Sequence, residues 1–487
     1  MKFFKYLLLI LLTSFICISC FEDDDDNTVS ASEISDFVWK GMNAVYLYKD
    51  NIPNLANDRF SSDAEYADYL NSFTTPEELF ESLIYQRSTV DRFSWITDDY
   101  ITLEAQFSGV SKRSGIEINL YPMPGSSSNL FGVVRLVLPN SNADTQGLMR
   151  GDVITEVDGT TITASNFNEL FGPDSYTVGF ADYDDNGTPT NLNDDIITTN
   201  GQTAVLTKET YTENPVFYTD VLDVGGKKAG YIVYNGFTSS FDSQLNAAFG
   251  NFAANNVDHV IVDLRYNPGG SVRTASYLGS MITGQFFGQV FAKLLYNQDL
   301  SELNFDVEFD NELDNGTPIN SLNLDKVYII TTGSSASASE MMINSLSAYI
   351  DVIQIGDATV GKSQASITIY DSPNLQREGA NPNHTYAMQP LVAITVNKDQ
   401  DVVPSNGMGA TPGFAQRENP SNFGMLGDVN EPLLAIALAD IQANGRRIPL
   451  AIEVPDIVGQ NAMLLPFEDT MYLSPETIQT NKTKLEQ

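Results

Sequence analysis

The sequence predicts an α/β domain with a mostly parallel sheet, plus a β-rich domain and an N-terminal helical cap ahead of it. Three observations lead there. From about residue 211 to 453, short β-branched apolar runs alternate with helical periodicities, the pattern of βα units. Between 106 and 210 the chain breaks into short strand-like runs separated by Gly, Asn and Asp turns. From 32 to 105 apolar residues recur at helical spacing: Ile34, Phe37, Val38, Met42 and Val45 trace one face behind a capping serine, Ser32. A second helical segment reads over 75–85.

The chain opens with Lys2 and Lys5 ahead of an apolar run over 6–18, too short to cross a bilayer and of the length of a secretory signal. Cys20 stands where a bacterial lipoprotein is cleaved and lipidated. The expectation is a signal peptide over 1–20 and a lipid anchor at Cys20, which ties the protein to an outer membrane on its periplasmic or surface side. An acidic tether follows over 21–31; Glu22 and Asp23 to Asp26 resemble tethers that send lipoproteins to the cell surface, and read equally as a solvated spacer. Cys17 leaves with the signal, so the mature domains are expected to hold no free thiol and no disulfide.

A formal net charge of −37 argues against nucleic acid as a partner, because a phosphate-binding face needs clustered Lys and Arg. With 42% hydrophobic residues the chain can bury more than one core. His259 and His384 are its two histidines, which makes a Ser-His-Asp triad hard to build.

In the β-rich part, Gly115 to Ile118 and 132–138 read as strands. The run from Ser141 to Gly159, SNADTQGLMRGDVITEVDG, gives a short helix, a Gly-Asp turn, a strand and a hairpin, and resembles a PDZ core. Domains of that kind take a peptide as an added strand and hold its C-terminal carboxylate on backbone amides. The resemblance makes Gly115, Ile116, Glu117 and Ile118 the candidate peptide-binding residues, although the family often has glycine where Glu117 stands. The plainer reading is a PDZ-shaped spacer. An acidic insertion over 182–195 begins like a calcium loop, but Asn193 occupies the place of the closing glutamate, so an ordinary surface loop without metal is expected.

The α/β part is organised around residues 326–370. A buried strand over 327–331 is broken by Gly333 and small residues; a helix starts at Ala338, with Met342, Leu346 and Tyr349 on one face; a strand over 352–355 leads to Gly361 and Lys362. Strand ends of this kind line the functional crevice of parallel α/β sheets. Three readings compete. Ser337 to Glu340 matches the capping box S-x-x-E, a purely structural device. Gly356 to Ser363 matches G-x-x-x-x-G-K-[ST], but the following SITIY is alternating and β-branched, so the helix that a phosphate loop requires is missing. The third pairs Ser337 as nucleophile with Lys362 as general base, which works when desolvation lets the lysine shed its proton.

The run Ser335-Ala336-Ser337-Ala338-Ser339-Glu340, with Gly361-Lys362 after it and Asp263 to Gly270 (DLRYNPGG) before it, resembles the C-terminal processing, or tail-specific, serine peptidases. The resemblance covers roughly residues 90–440, from Asp91-Arg-Phe-Ser-Trp at the lead-in to the PDZ-like domain to Gly407-Met-Gly409 late in the chain. It implies a serine endopeptidase acting on protein or peptide substrates without metal or nucleotide, with Ser337 as nucleophile and Lys362 as base. The backbone N–H groups of Gly270 and Ala338 are the candidate oxyanion hole. Many members carry an aspartate where this chain has Ala348 and a glutamine where Ser366 stands, two residues from Gln364. Those departures motivate the alternative of a catalytically inactive, peptide-binding lipoprotein on the same scaffold. Residues 284–325 read as a polar, loop-rich lid or partner surface, a last helix is expected over 431–443, and 454–487 as a tail without period.

Overall fold

The computed structural model describes residues 32–188, 194–443, 456–460 and 471–473. The signal peptide, Cys20 and the acidic tether lie outside the described residues. Three helices open the chain: α1 (Glu33–Val45), α2 (Asp63–Leu70) and α3 (Pro76–Ser82). Ser62 and Thr75 accept the amide N–H groups of Glu65 and Glu78 as side-chain caps, whereas the Ser32 hydroxyl caps nothing. Phe37, Val38 and Met42 of α1 pack with Leu79 and Phe80 of α3, and this core continues onto Ile369 and Met388 from much later in the chain. β1 (Trp95–Thr97) and α4 (Tyr100–Phe107) then lead away.

The next unit is antiparallel. It comprises β2 (Val110–Arg113), β3 (Ile116–Pro122), β4 (Leu130–Val137), α5 (Asn142–Thr145), β5 (Val153–Val157), β6 (Thr160–Thr161), α6 (Phe167–Leu170), β7 (Ser175–Asp184), β8 (Ile196–Thr207) and β9 (Glu209–Thr212). The sheet runs β3-β4-β5-β7-β8, and β2 pairs β9 where the chain enters and leaves. Ile116, Ile118 and Leu120 point into its core with Val134, Ile154 and Val178, so Glu117 and Asn119 point the other way, as the two-residue strand period requires. The acidic insertion is the tip of the long β7–β8 hairpin. Asp182 and Asp184 lie in β7 itself, Asn193 is outside the described residues, and no group of three acidic, His or Cys residues set to hold a metal ion occurs among the described residues.

The α/β unit starts with β10 (Val216–Val224), β11 (Lys227–Tyr234), α7 (Asp242–Ala254), β12 (His259–Asp263), β13 (Gly270–Ser271), α8 (Val272–Ile282), β14 (Val290–Tyr296), β15 (Phe305–Glu308), β16 (Lys326–Thr331), α9 (Ala338–Ser347) and β17 (Asp351–Gly356). Its central sheet has the order β10-β11-β12-β16-β17; the last four strands are parallel and β10 is an antiparallel edge. Both faces are covered, which is why these strands read as unbroken apolar runs. Val260, Val262, Val327 and Ile329 face α7, α8 and α9, while Ile261, Tyr328 and Ile330 face α10 (Pro432–Ala443).

A second sheet was not expected from the sequence. The remaining strands are β18 (Gln364–Ser366), β19 (Ile369–Tyr370), β20 (Ala387–Gln389), β21 (Leu391–Val396), β22 (Gly459–Gln460) and β23 (Met471–Tyr472). β13-β23-β18-β21-β14-β15 form one mixed sheet, and β1-β20-β19 a small one under the N-terminal helices. The central sheet is mostly parallel, as the alternation predicts, and the second sheet makes the α/β unit mixed as a whole. Residues 284–325 supply a hairpin, β14–β15; the SITIY strand breaks between β18 and β19; and the tail, read as without period, contributes β22 to the β3 edge and β23 between β13 and β18. Two-residue pairings carry no periodicity for a sequence to display.

Candidate active site

β12, β16 and β17 run parallel, so the segments after them emerge at one end of the sheet. After β16, residues 332–337 turn sharply into α9. Ser335 donates its hydroxyl to the Leu264 carbonyl (2.7 Å) and the Ala336 N–H goes to the Asn267 carbonyl (3.1 Å), stitching this turn to the one after β12. Ser337 begins the helix with φ +64° and ψ −112°, a region a non-glycine residue occupies at a cost of about 1–3 kcal/mol when its surroundings force it there. The residue is fully buried and its hydroxyl has no hydrogen-bond partner. The Glu340 carboxylate takes the Ser337 N–H at 2.7 Å, and the Ser337 hydroxyl returns no bond. The hydroxyl is left for other work.

Glu340 also reaches the lysine. Its two oxygens accept the N–H groups of Gly361 (2.6 Å) and Lys362 (2.9 Å) and the Thr359 hydroxyl, so one buried carboxylate ties the backbone of Ser337 to that of Lys362. Burial pushes this carboxyl above the usual glutamate range, against the pull of Thr359 and the three amides. Lys362 is almost entirely buried, with its ammonium 4.8 Å from the centre of the Phe93 ring. Arg92 donates to the carbonyls of Val360 (3.1 Å) and Gly361 (3.3 Å). Asp91, itself buried, anchors this segment by accepting from the Tyr46 hydroxyl and the Ser94 hydroxyl, both at 2.6 Å. Residues 91–94, which the sequence marked only as a lead-in, thus roof the lysine.

The Asn-Pro-Gly-Gly turn lies against the serine. Asn267 accepts the Gly269 N–H and donates to the Tyr234 carbonyl, both at 2.9 Å. Gly269 has φ +114°, and a Cβ there would stand 2.7 Å from the Ser337 Cβ and 3.1 Å from the Ala338 nitrogen. Its missing side chain leaves space beside the Ser337 Cβ and the Ala338 nitrogen, next to Gly270, whose N–H is the candidate oxyanion donor. Gly270 pairs with Met471 in β23, and Ala338 is the first residue of α9. Gly361 and Gly407 close the far side of the lysine loop, where a Cβ on either would meet a carbonyl oxygen, Ser405 O at 2.3 Å or Thr359 O at 1.9 Å.

Of the two positions near the lysine, Ser366 is engaged elsewhere through its hydroxyl and Gln364 through its amide N–H, while Gln364 Oε1 stays buried without a hydrogen-bond partner. The Ser366 hydroxyl donates to the Met471 carbonyl (3.2 Å) and the Gln364 amide to the Tyr48 hydroxyl (3.1 Å). His259 starts β12 at the opposite end of the sheet, and His384 is bound to Asp371 at 2.9 Å. Beneath the turn, fully buried Arg265 forks onto Asp263 and onto Glu431 and touches Glu418, which also binds Arg150 of the antiparallel unit at 2.6 Å. Burial works against the Glu418 charge, and Arg150 and Arg265 overcome it, holding the carboxyl below the usual range. A cleft of about 120 Å³ opens beside Gly269 and Gly270, lined by Arg113, Glu117, Arg135 and Tyr472. Glu117 pairs with Arg135 at 3.0 Å and is lodged in this cleft, while Gly115, Ile116 and Ile118 start the β3 edge.

Residues 228–374 match peptidase family S41, and residues 33–95 match the N-terminal domain of S41 peptidases. The chain carries the S41 peptidase domain and the N-terminal domain found in S41 peptidases. The S41 chain is 24% identical over 339 residues to a carboxyl-terminal-processing protease of a Picosynechococcus species, covering 68% of this chain and 70% of the relative. It is 23% identical over 309 residues to the chloroplastic carboxyl-terminal-processing peptidase 2 of Arabidopsis thaliana, covering 58% and 55%. A solved structure described as an S41 protease of Bacteroides fragilis superposes with a TM-score of 0.66 at 24% identity, covering 84% of this chain and 97% of that one, which shows a shared fold. This S41 protein is a serine peptidase, a hydrolase of peptide bonds, and its substrates are proteins or peptides.

Proposed function

We propose that the protein is a secreted, lipid-anchored endopeptidase that works through a Ser337–Lys362 dyad and recognises unfolded or C-terminal segments through its antiparallel, PDZ-like unit. Ser337 Oγ attacks the peptide carbonyl carbon while its proton passes to neutral Lys362 Nζ. The N–H groups of Gly270 and Ala338 receive the oxyanion. The lysine then protonates the leaving amine, and water, activated in turn by Lys362, releases the acyl group as a carboxylic acid. The observation that carries this reading is the unpartnered, buried Ser337 hydroxyl on a strained helix start, with one carboxylate holding both its backbone and that of Lys362.

In support of peptide recognition, β3 begins at Ile116, has one face in its own core, and has an edge away from β4 whose recorded pairing with β22 involves only Asn119 and Leu120. The leader and Cys20 support an extracytoplasmic, membrane-anchored enzyme. The non-catalytic reading draws on Ala348 and Ser366 standing where many members carry an aspartate and a glutamine, and on the Ser366 hydroxyl being bound to the Met471 carbonyl. One comparison separates the two. The protein and its Ser337→Ala variant are incubated with unfolded proteins and with peptides bearing free apolar C-termini, and with an active-site serine reagent. Cleavage and labelling by the parent alone establish the peptidase and its nucleophile. Peptide binding without cleavage or labelling assigns the scaffold role. Lys362→Arg is expected to be nearly as inactive as Lys362→Ala, because a guanidinium does not give up its proton at working pH.

A further inference from the structure

The outer edge of β3 is already occupied at Asn119 and Leu120. Leu120 and Asn119 pair antiparallel with Gly459 and Gln460, and the Val458 N–H donates to the Leu120 carbonyl at 2.8 Å. On its other side this segment is bounded by α6, since a Cβ on Gly459 would lie 2.9 Å from the Phe167 ring. An extended stretch from the end of the chain therefore lies in a groove between a strand edge and an aromatic side chain, immediately beyond Gly115–Ile118. The contact is held by backbone. Ile457 and Val458 remain 37% and 44% exposed, so little apolar burial opposes removal of the segment.

We propose that residues 458–460 are a resident ligand of the β3 edge, which a substrate peptide must displace. The edge takes an extended, antiparallel peptide with glycine or another small residue opposite Phe167. This rests on the reading of β3 as the peptide site and adds its occupant and its preference. A tethered ligand competes at a high effective concentration however weak its contacts, so it raises the concentration of peptide required.

The test uses the full chain carrying Ser337→Ala, so that bound peptide survives, with Val458→Pro or Gly459→Val added. The proline deletes the N–H donor to Leu120; the valine collides with Phe167. Thermal unfolding checks that each variant folds. Two fluorescein-labelled peptides are titrated: an unstructured decapeptide with a free apolar C-terminus, and VPDIVGQNA, the sequence of residues 454–462. Both variants are expected to bind the decapeptide at least about tenfold tighter than the Ser337→Ala parent. Equal affinity in all three overturns the proposal while leaving β3 a peptide site. Binding of VPDIVGQNA by the variants alone, with no decapeptide binding anywhere, upholds the resident segment and removes the substrate-recognition reading. Binding of neither peptide by folded variants overturns the proposal.

Discussion

The Lys362 ammonium lies 4.8 Å from the centre of the Phe93 ring, so the candidate base is roofed by a residue from a segment far earlier in the chain. A lysine accepts a proton only when neutral, and water at an open site favours the ammonium. Phe93→Ala removes the roof and is expected to lower kcat/KM by tenfold or more. Phe93→Leu keeps an apolar cover, loses only the ring's attraction for the cation, and is expected to retain most of the activity. Steady-state rates on one peptide decide it; equal losses in both variants would show that the cover is not what matters.

Glu340 accepts four donors on two oxygens. In Glu340→Gln one oxygen becomes an NH2 group that faces two donors. Each orphaned buried donor costs about 1–3 kcal/mol. A lower unfolding midpoint and a fall in kcat are expected together. Because burial raises this carboxyl, it takes up a proton at a higher pH than an ordinary glutamate. The parent should therefore lose activity on acidification through a limb that the glutamine variant lacks. A pH–rate profile of both shows it.

Gly269→Ala is expected to abolish turnover. The added methyl meets Ser337 and the Ala338 nitrogen, and φ of +114° strains any side chain. Labelling by an active-site serine reagent should be lost along with peptidase activity. A variant that still labels at the parent rate would show that the space before the Ala338 N–H is not where the acyl group sits.

Asp242, at the start of α7, is pushed by burial up to about 7, with the Thr274 hydroxyl pulling the other way. Between pH of about 4 and 7 the unfolded chain gives up this proton and the folded one keeps it, so rising pH lowers stability across that window. Above it the cost is constant. Asp242→Asn keeps an acceptor for Thr274, which donates to Oδ1 at 2.8 Å, and carries no charge. Its stability should match the parent below pH of about 4 and exceed it above pH of about 7, by on the order of a few kcal/mol. Urea unfolding at pH 4, 6 and 8 measures the divergence.

The central sheet was legible because both of its faces are covered: the strands around Val260, Val327 and Ile353 could be nothing but apolar. Ser337, Lys362 and the NPGG turn stood out as motifs, and the structure sets all three after neighbouring parallel strands. Glu340 was visible only as half of a helix cap, since its contacts with Gly361 and Lys362 come from the next loop. Phe93 and Arg92 were invisible as neighbours of the lysine, as were Glu418 and Glu431 as partners of Arg265. Contacts that join segments hundreds of residues apart leave no local period. The second sheet was missed for the same reason, being stitched from strands as short as two residues.

Met471 is fully buried, its strand runs between the strand of Gly270 and that of Ser366, and its carbonyl holds the Ser366 hydroxyl. A polypeptide still being synthesised has neither this strand nor the side chains that seal it. Ser337, Lys362 and the glycine turn are all made first, yet the sheet beside them lacks its middle strand until Met471 and Tyr472 have followed. Order of synthesis thus makes the closing of this sheet a late step, after every candidate catalytic residue already exists.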